Sequence, residues 1–140
     1  MKHEIFLYWV KTNDYSTSKI QGSGTMSVID ERSLDQLSEL IGGDKETLHE
    51  LIRTFLDEGK DIVDEMKDSL QTENLDTLRR CAHSMKSSAL DFGATELSEL
   101  NATLESQCKN GWPENAAVQT STISENFILA DAELKRYLDN

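Results

Sequence analysis

The sequence predicts an all-α fold, and three observations carry the prediction. Apolar residues recur at steps of three and four from residue 30 onward. No stretch sustains the period-two alternation of a half-buried strand. Asp, Asn and Gly fall between the periodic segments, where helix caps and stops belong. The expected architecture is an antiparallel four-helix bundle with a short additional N-terminal helix, because short loops join long amphipathic segments. A chain of 140 residues suits one domain with a real core.

Each element follows in order. Asp30 can cap a short helix carrying Leu34, Leu37, Leu40 and Ile41, and the Gly42-Gly43 pair stops it. Asp44 starts a second helix, with Glu46 in the first turn to suit the dipole. Leu48, Leu51, Ile52, Phe55, Leu56, Ile62, Val63, Met66 and Leu70 mark its buried face. Gly59 interrupts that face at a helix cost of about 1 kcal/mol, which suggests close packing or a bend. Asn74 can cap a third helix, with Leu75, Leu78, Ala82, Met85, Ala89 and Phe92 inward and Gly93 at its end. A fourth runs from about Thr95 to Lys109 on Leu97, Leu100, Leu104 and Cys108. After the loop "NGWP", a fifth spans roughly Ala116 to Leu138, with Val118, Ile123, Phe127, Leu134 and Tyr137 or Leu138 inward.

The first 25 residues differ from the rest. "MKHEIFLYWV" is aromatic and apolar, and "KTNDYSTSKIQGSGT" has a linker's composition. Residues 1–25 are expected to be a disordered tail or extension, and 26–140 the domain, with Met26 as its natural beginning. The other reading is a short strand or helix that docks through Ile5, Phe6 and Trp9. The run "IFLYWV" is shorter than a secretory h-region, and no small-residue cleavage site follows it closely.

Charge and cysteines exclude several classes. The formal net charge is −12, from 14 basic and 26 acidic residues. Nucleic-acid affinity comes largely from neutralising phosphates with Lys and Arg, so this balance argues against it. It argues equally against an anionic membrane surface. The two cysteines, Cys81 and Cys108, form no C-x-x-C pair, so zinc has no support. Two thiols in an acidic helical chain read as buried small side chains in a reducing compartment. No apolar run approaches the length of a membrane span. A cytoplasmic location is expected.

Chemistry concentrates in "CAHSMKSSALDFGA", residues 81–94. On the third helix, Arg79, His83, Lys86 and Leu90 form a row beside the core stripe. His83 should therefore be held by the bundle yet reachable from solvent. Arg79, Arg80 and Lys86 lie within about one turn of it and suggest a positive patch. Ser84, Ser87 and Ser88 keep the surface low. A neutral imidazole is a nucleophile that can carry a phosphoryl group covalently. Phosphoryl transfer asks mostly for positioning and charge neutralisation, which Lys86 can supply. Small residues leave room for a folded donor. The plainer reading of a lone His on a helix flank is a solvated side chain, and His3 and His49 keep that reading.

The segment resembles the signature of histidine-containing phosphotransfer (HPt) domains, the modules of multistep phosphorelays. The residues carrying the resemblance are Ala82, His83, Met85, Lys86, Ser87, Ser88, Ala89, Gly93 and Ala94. The likeness extends over about residues 28–140. It implies that His83 accepts a phosphoryl group from the phospho-aspartate of a response-regulator receiver domain, or passes one to it. It implies Lys86 as the family's lysine. A position often occupied by Gly in the family is Ser87 here. The family often places a Gln or Glu on the next helix to hydrogen-bond the imidazole, and by spacing Glu105 falls there. A carboxylate on Nδ1–H would leave Nε2 as the nucleophile; the alternative for Glu105 is an ordinary solvated acid. Leu37, Ile41 and Leu90, with Arg79 and Ser84, are expected to line the docking surface.

The implied partners are receiver domains and a hybrid sensor histidine kinase. No cofactor is expected on this chain, with Mg2+ on the partner receiver only, and the chain is expected to be a monomer. It is read as a phosphoryl carrier and not an autonomous enzyme. Two alternatives remain: a helical adaptor that is never phosphorylated, and a phosphotransfer module excised from a kinase.

Overall fold

A computed structural model describes residues 27–139. The expectations for residues 1–25 and Met26, including docking through Ile5, Phe6 and Trp9, lie outside the described residues. Five helices follow one another: α1 Glu31–Leu40, α2 Lys45–Thr72, α3 Leu75–Asp91, α4 Thr95–Cys108 and α5 Ala116–Asp139. No strand occurs among the described residues, and no helix among them is long and apolar enough to cross a membrane.

Local chemistry sets the boundaries. Asp30 accepts from the Arg32 N–H at 3.0 Å. Asp44 accepts from the Glu46 N–H at 3.3 Å and from the Thr47 hydroxyl at 2.6 Å. Asn74 accepts from the Thr77 N–H at 3.1 Å. Each supplies an acceptor for a first-turn donor that the helix itself leaves unpaired. All three are the caps that the sequence marks. Gly93 ends α3 at φ +81°, and a Cβ there would sit 2.5 Å from the Asp30 carbonyl oxygen. The Asp30 N–H also donates to Gly93 O at 2.9 Å. The start of α1 is thus pinned against the α3–α4 loop.

The four long helices pack in a ring. α2 lies against α3, α3 against α4, α4 against α5, and α5 against α2. Short connections make successive helices antiparallel. Leu34, Ile52, Met66, Leu78, Met85, Leu97, Leu104, Ile123 and Leu134 fill the centre with almost no exposure. Gly59 resolves as close packing, since its bare Cα admits the Phe127 ring. The segment before α1 joins the core through buried Ile29. Glu133 on α5 holds that segment, accepting from the Val28 N–H at 2.9 Å and from the Ser27 hydroxyl.

The short α1 differs from its pattern at one residue. Leu34 is buried, and Leu37 and Ile41 are half-buried, but Leu40 is 83% exposed. Leu40 sits about 120° around the helix from Leu34, beyond what α2 and α3 cover.

Candidate functional site

The site forms where α3 and α4 face each other. On α3, Leu78, Ala82, Met85 and Ala89 are buried. His83 follows the core residue Ala82 and turns out of the bundle, with its side chain 61% exposed. On α4, Leu97, Leu104 and Cys108 are buried, and Glu105 follows core Leu104. The antiparallel pairing brings Glu105 opposite His83.

Glu105 bridges two partners. Its Oε2 lies 2.7 Å from His83 Nδ1, and its Oε1 lies 2.7 Å from Lys86 Nζ. The Glu105 side chain is only 13% exposed, so it is not a solvated acid. The Lys86 hydrogen bond, followed by that from His83, holds its carboxyl below the usual carboxylate range, against a partial desolvation that pushes the other way. An ionised carboxylate can only accept, so Nδ1 carries the proton and donates. In the neutral ring that leaves the lone pair on Nε2.

The positive patch is weaker than the sequence suggests. Lys86 is committed to Glu105, Arg80 reaches Glu65 on α2 at 2.6 Å, and Arg79 lies 3.5 Å from Asp76. The physical reason is composition: with 26 acids to 14 bases, these three cations each find a carboxylate nearby. The Arg79–Asp76 pair is exposed and long, and such pairs contribute little. An open cleft beside the imidazole is lined by Asp76, Thr77, Arg79, Arg80, His83 and Glu105.

The remaining candidates divide. Ser87 is exposed one turn after His83, whereas Ser84 and Ser88 are half-buried. Leu90, in the His83 row, is 57% exposed. Leu37 and Ile41 pack against the core, which leaves Leu40 as the open apolar side chain of α1. His49 sits edge-on to Tyr137, with ring centroids 6.2 Å apart. Both cysteines are buried and free. Burial, with Glu65 adding to it, pushes the Cys81 thiol up to about 11, which suits an inert packing residue. No group of three or more His, Cys, Asp or Glu with metal-site geometry occurs among the described residues.

Sequence reasoning missed Asp76, Thr77 and Ser98. Ser98 donates to the main-chain oxygen of Lys86 at 2.8 Å. The available signal was its place seven residues before Glu105, on the same face of α4.

A family model described as the Hpt domain matches residues 50–140. Among solved structures, the fold is similar to the crystal structure of histidine-containing phosphotransfer protein B (HptB) from Pseudomonas aeruginosa PAO1. The two are 22% identical, with a TM-score of 0.75 over 82% of this chain and 97% of that chain. At that identity the likeness speaks for the fold. No curated protein sequence matches the chain.

Proposed function

Because the chain belongs to the Hpt domain family, we propose that it relays phosphoryl groups between receiver-domain aspartates through His83. The observation that carries this reading is the 2.7 Å contact from His83 Nδ1 to Glu105 on an otherwise exposed ring. A carboxylate on Nδ1–H selects the tautomer whose Nε2 is free to attack.

The step balances as follows. The Nε2 lone pair attacks phosphorus of the receiver's aspartyl phosphate. The P–O bond to the aspartate breaks, and its electron pair returns to that carboxylate. A new N–P bond forms, and the ring becomes cationic with Nδ1–H still donated to Glu105. The carboxylate stabilises that positive ring as it develops. Delivery to a second receiver is the reverse. Lys86, through donors not spent on Glu105, faces the charge on the transferred oxygens. Arg79 can exchange its long contact with Asp76 for the incoming group. Ser87 and Leu90 lie on the approach, with Leu40 as the open residue of α1. The carrier works with a partner's catalytic machinery, and Mg2+ belongs to the receiver.

The test is incubation with a phosphorylated receiver domain. Wild type should gain an acid-labile, base-stable label, and His83→Gln should gain none while keeping its helicity and melting point. Label surviving in His83→Gln would remove His83 from the relay. A chain that binds the receiver but never takes label would be an adaptor.

A further inference from the structure

We infer that Ser98 is a positioning residue for His83, one that fixes the register between α3 and α4; this rests on His83 being the phosphoryl carrier.

Ser98 and Glu105 stand two turns apart on α4, separated by about 10.5 Å along the axis and ~20° of rotation. Both therefore face α3. Ser98 is 6% exposed. Its hydroxyl donates to the Lys86 carbonyl at 2.8 Å, and Glu105 Oε1 meets the Lys86 ammonium at 2.7 Å. The fourth helix thus holds Lys86 at both ends, by its main chain and by its side-chain tip.

The two grips differ in what they fix. The Lys86 ammonium rides on a flexible four-carbon stem and can follow Glu105 through a shift of the helix. The Lys86 carbonyl belongs to the α3 backbone and cannot. A hydroxyl bound to it ties α4 to the axis of α3, using the second lone pair that a helical carbonyl keeps.

The turn itself ties the start of α4 to α3, with the Ala94 N–H donating to Ala89 O at 2.8 Å, and Ser98 adds a side-chain tie one turn into the helix. Its N-cap, Ala94, makes no side-chain cap bond. Apolar contacts are non-directional and tolerate small slides. The Glu105–His83 bond does not tolerate them, since a functional constellation must be held within about 0.5 Å. Ser98 supplies a directional side-chain restraint nearer the Glu105–His83 bond than the turn, from a position only 6% exposed.

The experiment compares wild type, Ser98→Ala and Ser98→Thr in the full chain. The readouts are the 15N shifts of the His83 ring, which report its tautomer, and the rate of phosphoryl uptake from a phosphorylated receiver. Ser98→Ala should fold, because Ala is the better helix former. Its His83 shifts should move toward the mixed-tautomer average, and uptake should slow roughly three- to tenfold, the reach of one hydrogen bond. Ser98→Thr, which keeps the donor, should hold the wild-type shifts and rate. Wild-type shifts and rate in Ser98→Ala overturn the inference, as does a Ser98→Thr that behaves like Ser98→Ala. Failure of wild type itself to take label is a different outcome and sinks the carrier reading.

Discussion

Glu105 is shared between His83 and Lys86, 2.7 Å from each through its two separate oxygens. One carboxylate therefore sets the imidazole tautomer and tethers the cation beside it. The two roles separate by substitution. Gln at position 105 can still accept from Nδ1–H, but it brings no charge to Lys86 or to the developing imidazolium. Ala can do neither. Phosphoryl uptake should fall within about tenfold for Glu105→Gln and on the order of 10- to 100-fold for Glu105→Ala, as charge-assisted hydrogen bonds are lost. Equal rates in Ala and wild type would leave Glu105 a structural ion-pair partner only.

The acid side of the pH profile follows from the same pair. The Glu105 carboxyl is held below its usual value of 4.5, chiefly by Lys86. A depressed carboxyl contributes stability that is fully present above the usual value and is lost as pH falls through the lowered one. Lys86→Ala removes the largest cause, so the stability lost should be smaller and its loss complete at a higher pH. The check is the gap in melting temperature between each protein and its Glu105→Gln partner, followed from neutral pH into acid. If the gap closes at the same pH with and without Lys86, the lysine does not govern the carboxyl.

Ser87 tests the approach to the ring. It is exposed one turn beyond His83. Ser87→Gly should transfer normally at a helix cost of up to ~1 kcal/mol. Ser87→Phe should keep its helicity and lose receiver binding. The measurement is receiver affinity and uptake rate, with circular dichroism as the folding control. Wild-type transfer by a folded Ser87→Phe would mean that the partner comes from another side.

Gly59 tests the packing that holds the bundle behind the site. A Cβ there would sit 2.5 Å from Phe127 Cε1 and 2.8 Å from Cζ. The ring is hemmed in, since Phe127 also lies edge-on to Phe55 at 6.1 Å. Ala would gain about 1 kcal/mol of helix propensity, and overpacking would cost about 1–3 kcal/mol. Gly59→Ala should come out destabilised in urea unfolding. Phe127→Leu should add less damage in the Gly59→Ala background than alone, because it relieves the clash. Additive losses would show that the glycine serves something other than room for the ring.

The sequence by itself determined the helices and the carrier's place on one of them. Capping and periodicity are local: Asp30, Asp44 and Asn74 each satisfy donors within their own first turn, and the stripe Leu78–Ala82–Met85–Ala89 repeats every turn. The flanking position of His83 follows from the same count. Tertiary structure decided what those positions meet. Glu105 had two open readings, because cross-helix contact depends on the rotation and axial register of two helices, which a single helix does not encode. Lys86 and Arg80 looked like free cations until α4 and α2 brought carboxylates to them. Leu40 kept the three-and-four spacing yet stayed in solvent, because a periodic stripe records a helix's apolar positions and not how much of it a neighbour covers. Ser98 had no signal strong enough to single it out, since its partner is a backbone oxygen on another helix. What a side chain can do is written in its own turn of helix; whom it does it with is settled only when the helices pack.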